Sequence, residues 1–134
     1  MSEAAARPLL LFAQGASWEA RFQVSSCAAA AAAGGQRVDL AFFFAALGAW
    51  VGDRWDAHEP AEVVTPDRLA ELAPPLTTLL ADGRAAGTLR LYACSASMRY
   101  LGLDPAAVQA KVDAIVGWST FQQLMRGAER VVSF

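Results

Sequence analysis

Cys94 is the residue of this 134-residue chain whose neighbours suggest chemistry. It ends the apolar run Leu89-Arg90-Leu91-Tyr92-Ala93, which has strand character. Ser95-Ala96-Ser97 follow, then a short helix that Gly102 can stop. A thiol at a strand tip and beside a helix start lies where unpaired N–H groups and the helix dipole favour a thiolate. Such a group is a nucleophile toward other sulfur atoms. The same place also suits a small buried hydrophobe, because free cysteine is among the most buried residue types. Ser95 and Ser97 either orient the sulfur or cap the helix. Arg99 is either a charge partner or a solvated helix residue.

Other chemical groups are sparse. His58, the single histidine, lies in an aromatic-rich segment and is either a proton carrier near Cys94 or a solvated loop residue. Cys27 falls about ten residues into the first helix, roughly 15 Å from its start. It reads as core packing, too far from Cys94 to pair with it or to resolve a peroxidase-type intermediate. Two cysteines make neither a disulfide framework nor a Cys-rich metal site. The chain has no Walker-type P-loop, no glycine-rich dinucleotide turn and no Gly-x-Ser-x-Gly elbow. Gln14-Gly15-Ala16-Ser17 carries one glycine, a weak anion-binding signal. Cys94-x-x-Ser97 matches a monothiol redox string. In thioredoxin-like folds, however, that string follows the first strand, whereas here two complete βα units precede it.

The elements that must hold Cys94 can be read in order. Leu9 to Ala13, between Pro8 and Gln14-Gly15, has the pattern of a strand buried on both faces. Ser17 reads as a helix N-cap, with Glu19 in the first turn. The alanine stretch Ala28 to Ala33 suits close packing on a sheet, and Gly34-Gly35 stops the helix. Arg37 to Ala46 reads as the second strand, ended by Gly48. The segment from Gly48 to Thr65 holds Trp50, Trp55, His58 and Pro60 and reads as a lid or partner-docking loop. Thr65-Pro66-Asp67 starts a Leu-rich helix that Pro74-Pro75 must break or kink; it resumes over Leu76, Leu79 and Leu80 to Asp82-Gly83. Asp104-Pro105 opens a helix with Val108 and Val112 inward. Asp113 to Gly117 is a short fourth strand. Ser119 caps a helix carrying Phe121, Leu124 and Met125, and Arg130 to Phe134 is the final strand.

Strands alternating with helices predict right-handed crossovers, a mainly parallel five-stranded sheet and helices on both faces. Ligands of such sheets sit at the carboxyl ends of strands, near a switch in strand order. On that rule Gly15, Ser17, Gly48, Trp118 and Ser119 line a pocket around Cys94, with Ser95, Ala96, Ser97 and Arg99 beside the sulfur. Trp118 equally suits a core position.

Composition bounds the rest. With 55% hydrophobic and 18% charged residues, residues 1–134 are expected to form a single domain able to bury a core without staples. The formal net charge of -2 supplies no basic patch for nucleic acid. The N-terminus lacks a basic n-region. The longest uncharged apolar run, Leu40 to Gly52, falls short of the roughly 20 residues a membrane span needs. A soluble cytoplasmic protein is expected. Alanine-lined helices and exposed-tryptophan candidates favour a homo-oligomer.

The segments LRLYACSASMRYLGLD and DAIVGWSTFQQLM, set after an Ala-rich helix and a kinked Leu-rich one, resemble the DsrE/DsrF-like (DsrEFH) sulfur-relay family. The resemblance covers essentially the whole chain and is most specific from Tyr92 to Phe121. The Cys-Ser-Ala-Ser-Met-x-x-x-Gly version, Cys94 to Gly102, resembles a branch distinct from the proven relay subunits. What the resemblance implies is a flavodoxin-like three-layer α/β/α sandwich that assembles into trimers or hexamers. It also implies a loop cysteine, here Cys94, that accepts sulfane sulfur as a persulfide and passes it from donor to acceptor proteins. That chemistry requires no metal or organic cofactor. The alternative expectation is a non-catalytic small-ligand-binding or assembly module in which Cys94 is structural.

Overall fold

The computed structural model describes residues 6–58, 67–68, 71 and 75–134. The helix start expected at Thr65-Pro66 and the break at Pro74 lie outside the described residues. Strand β1 (Leu9–Ala13) is buried at every position, as a strand covered on both faces should be. Helix α1 (Trp18–Ala33) follows, and Ser17 Oγ accepts the Ala20 N–H at 3.1 Å to cap it.

Strand β2 (Val38–Phe42) is shorter than its apolar run. Phe44, at φ 41, turns the chain into helix α2 (Phe44–Val51). Gly48 therefore stands inside a helix and does not end a strand. The physical reason is composition: beyond Phe43 the run is mostly Ala and Leu, strong helix formers. The described part of the segment read as a lid, 48–58, sends Trp50 and Trp55 into the core, while residues 52–54 and 56–58 are exposed. Trp50 is 8% and Trp55 1% exposed. Trp50 stacks on Phe42 at 5.1 Å, and its Nε1 donates to Lys111 O at 2.8 Å. Trp55 Nε1 donates to Ser25 Oγ at 2.9 Å. Arg21, buried in α1, donates to the carbonyls of Ala16, Arg54, Trp55 and Ala57 and straps this segment down.

Helix α3 (Leu76–Ala85) runs through Gly83, where a stop was expected. A Cβ at Gly83 would lie 3.1 Å from Leu89 Cβ and 3.3 Å from Ala32 Cβ, so glycine serves close packing there. The alanine run of α1 thus packs on α3 as well as on the sheet. Strand β3 (Leu89–Cys94) leads into α4 (Ser95–Tyr100), and Gly102, at φ 66, makes the turn after it. Helix α5 (Pro105–Gln109), capped by Asp104, and strand β4 (Ala114–Val116) come next. Helix α6 (Trp118–Gly127) begins one residue before Ser119, with Gly117 as its cap residue, so Ser119 is inside the first turn and caps nothing. Strand β5 (Arg130–Ser133) closes the order.

The sheet is five-stranded, β4-β3-β2-β1-β5, and every pairing is parallel. Three successive steps run in one direction, and right-handed crossovers place α1 to α5 on one face. The return from β4 to β5 crosses the sheet and places α6 on the other. The result is a three-layer α/β/α fold of flavodoxin type. Alternation along the strands divides the core accordingly. Leu11, Leu40, Phe42, Leu91 and Ala93 face the larger side with Val24, Leu47, Leu80, Met98 and Val108. Leu10, Phe12, Ala41, Tyr92 and Cys94 face α6 through Phe121. Among the described residues, no helix is long and apolar enough to cross a membrane.

Candidate functional site

The strand order creates one crevice. β3 and β4 are neighbours, with Cys94 beside Val116 in register. The chain leaves β3 toward the larger face and leaves β4 toward the α6 face. That divergence is the topological switch point, where open α/β sheets hold ligands. Cys94 is the last residue of β3 and the cap residue of α4. Strand alternation sends its thiol to the α6 side while the backbone departs to the other.

The thiol is 2% exposed and lines a cavity of about 150 Å³ with Phe12, Gln14, Phe43, Phe44, Ala96 and Trp118. The Ser97 N–H donates to Cys94 Sγ at 3.5 Å. Phe12 meets Phe43 edge-on at 5.3 Å and Trp118 at 5.9 Å, so the wall is an interlocked aromatic set. Phe44 and Trp118 are 45% and 51% exposed and stand at the mouth. Tyr100 meets Phe44 edge-on at 5.4 Å. Among the described residues, no charged side chain lines this cavity.

Of the residues expected around the sulfur, Ala96 and Trp118 are brought to the cavity. Ser97 contributes its amide, and its hydroxyl is buried without a hydrogen-bond partner. Ser95 is half-buried against Gly117, whose Cβ position lies 3.5 Å from Ser95 Oγ. The remaining expectations are corrected. Arg99 is exposed in the last turn of α4 and does not line the cavity. Ser17 is used as the α1 cap. A Cβ at Gly15 would lie 3.1 Å from Ala20 Cβ, so Gly15 admits α1 close to the strand end. Gly48 lines a different cavity, of about 280 Å³, with Arg21, Arg54 and Leu101. Ser119 is exposed on α6. His58 is exposed and meets Trp18 edge-on at 6.2 Å. Cys27 packs against the larger core, on the opposite face of the sheet from Cys94.

Gln14, read at the end of the first strand on the edge that converges on Cys94, lines the cavity; Phe12, Phe43 and Phe44 were not expected there. The signal for Phe43 was present, since it alternates with Phe42. Reading the strand through to Ala46 hid it. A larger cavity, about 470 Å³, lies between α1 and α3 at the opposite, amino end of β3. Among the described residues, no group of three His, Cys, Asp or Glu is placed to hold a metal ion.

Two pKa values are displaced on the α6 face. Burial pushes the Asp39 carboxyl above the ordinary carboxylate value, against the pull of Arg37, Arg90 and the Tyr92 O–H that donates to it. Burial and the neighbouring Asp39 charge push the Tyr92 phenol up.

No family model and no curated protein matches the sequence. Among solved structures, the chain is similar to a protein of unknown function from Methanobacterium thermoautotrophicum. The TM-score is 0.63 at 11% identity, over 94% of this chain and 98% of that one. At that identity the likeness is one of fold.

Proposed function

We propose that this chain is a sulfur carrier of the DsrE/DsrF-like kind, holding sulfane sulfur as a persulfide on Cys94. The observation that carries the reading is the thiol's position. It sits at the switch point, inside a small cavity, with a backbone amide on its sulfur. In the transfer, the Cys94 thiolate attacks the outer sulfur of a donor R–S–SH. The new Sγ–S bond forms as the donor S–S bond breaks, and R–S⁻ leaves and takes a proton from water. Cys94–S–SH then yields its outer sulfur to an acceptor thiolate by the same step. An amide directed at sulfur stabilises negative charge developing there.

The donor and acceptor are partner proteins, and the setting is the reducing cytoplasm. Assembly into a homo-oligomer, a trimer or hexamer, accords with the exposed Tyr100, Trp118, Val131 and Val132. Incubation with a cysteine desulfurase and cysteine, followed by intact-mass measurement, tests the carrier. The chain is expected to gain one sulfur atom, and a Cys94→Ser chain none. No gain in either contradicts carriage from a protein donor. The 2% exposure of Cys94 favours a second reading, a small-ligand-binding module with a structural cysteine. That reading requires no gain of sulfur and a melting temperature raised by the ligand.

A further inference from the structure

We propose that the Cys94 cavity selects what reaches the sulfur: an uncharged, unbranched alkyl persulfide group, with Phe44 and Trp118 as the specificity-determining residues. The inference rests on the carrier reading for its substrate but on the cavity for its selectivity.

Size is the first argument. About 150 Å³ is half the size at which sites for drug-sized ligands begin, near 300 Å³. A methylene or two and two sulfurs fit such a space, and the rest of a peptidic thiol such as glutathione stays outside it.

Polarity is the second. Phe12, Phe43, Phe44 and Trp118 present hydrocarbon, Ala96 adds a methyl group, and among the described residues Gln14 is the one polar side chain in the lining besides Cys94. A carboxylate, sulfonate or ammonium taken inside loses its hydration and meets no opposite charge, which is costly. The thiol itself is 2% exposed, so reagents reach it through the cavity. The two half-exposed aromatics at the mouth control that route. Phe44 holds its place at φ 41, a left-handed conformation costly for a residue with a Cβ.

In the transfer the outer sulfur of R–S–SH bonds to Sγ, the donor S–S bond breaks, and R–S⁻ takes a proton from water and leaves as R–SH through the same mouth. No oxidant or reductant is consumed.

The selection can be measured without sulfur carriage. In a Cys27→Ser chain, Cys94 is modified by methyl methanethiosulfonate and by its sulfonatoethyl and trimethylammonioethyl analogues. Each rate is normalised to that with free cysteine. The methyl reagent is expected to be about tenfold or more ahead of both charged reagents. Phe44→Gly, which suits the positive φ, and Trp118→Ala, at an exposed position, are expected to narrow the gap to about threefold with melting temperature retained. Equal normalised rates in the parent chain, or an undiminished gap in both variants, overturn the proposal. Loading of the parent chain by ethyl persulfide but not by a desulfurase-bound persulfide assigns the group to a free carrier, and the reverse to a partner protein. If neither loads the chain while the reagent gap persists, sulfur carriage fails and the selectivity stands.

Discussion

Asp39, 4% exposed on the α6 face, shows the cost of an ionised group there. Its carboxyl is raised by burial, so the folded state holds the proton more tightly than the unfolded chain does. Stability from that proton is complete below the unfolded value, about 3.9, and is lost as pH rises through the folded value. Asp39→Asn keeps an acceptor for the Tyr92 hydroxyl and removes the charge. Its stability in denaturant is expected to equal that of the parent chain below pH about 4 and to exceed it by a margin that grows as pH rises to the folded value and then levels off. A margin constant with pH contradicts this. Arg21 is the opposite case, a buried charge whose donors are taken up by backbone carbonyls from Ala16 to Ala57. Arg21→Met leaves those carbonyls without their donors. The expected loss is about 3 kcal/mol, and a loss under about 1 kcal/mol would show that the strap is dispensable.

At the scale of elements, glycine position decides sign. Gly83→Ala adds a Cβ against two fixed Cβ atoms, those of Leu89 and Ala32. Overpacking of about 1–3 kcal/mol then offsets or exceeds the helix-propensity gain of about 1 kcal/mol. Gly127→Ala in α6 meets nothing within 4 Å and keeps the propensity gain. Urea unfolding should therefore rank Gly127→Ala above the parent chain and Gly83→Ala below it. The reverse order would refute the α1–α3 contact. These elements also show what sequence can carry. β1 and β3 were legible because apolar runs ending at Gln14 and Cys94 match burial on both faces. The half-buried edge strand β4 was legible from its short Ala114-Ile115-Val116 run before Gly117. The turn at Phe44 was not, since a positive φ at phenylalanine leaves no mark in residue type. Trp50 and Trp55 were misread for a related reason. Their burial depends on Phe42, Ser25 and the Arg21 strap, all supplied by other elements. Gly48 was placed at a strand tip by the same overlong strand, and the site residues Phe43 and Phe44 were hidden with it.

For the whole molecule, the return crossover from β4 to β5 sets the site. Among the described helices it leaves α6 alone on its face, makes the switch point fall between β3 and β4, and so puts Cys94 and Trp118 at one mouth. It also places Cys27 on the far side of the sheet, where it cannot serve Cys94 within the chain. The claim that most needs testing is that sulfur resides on Cys94. After loading with a desulfurase and cysteine, the chain would be alkylated, digested and mapped by peptide mass. The expected result is one extra sulfur on the peptide containing Cys94 and none on the peptide containing Cys27, with loading undiminished in a Cys27→Ser chain. No extra sulfur on Cys94, or equal loading of Cys27, would contradict the account.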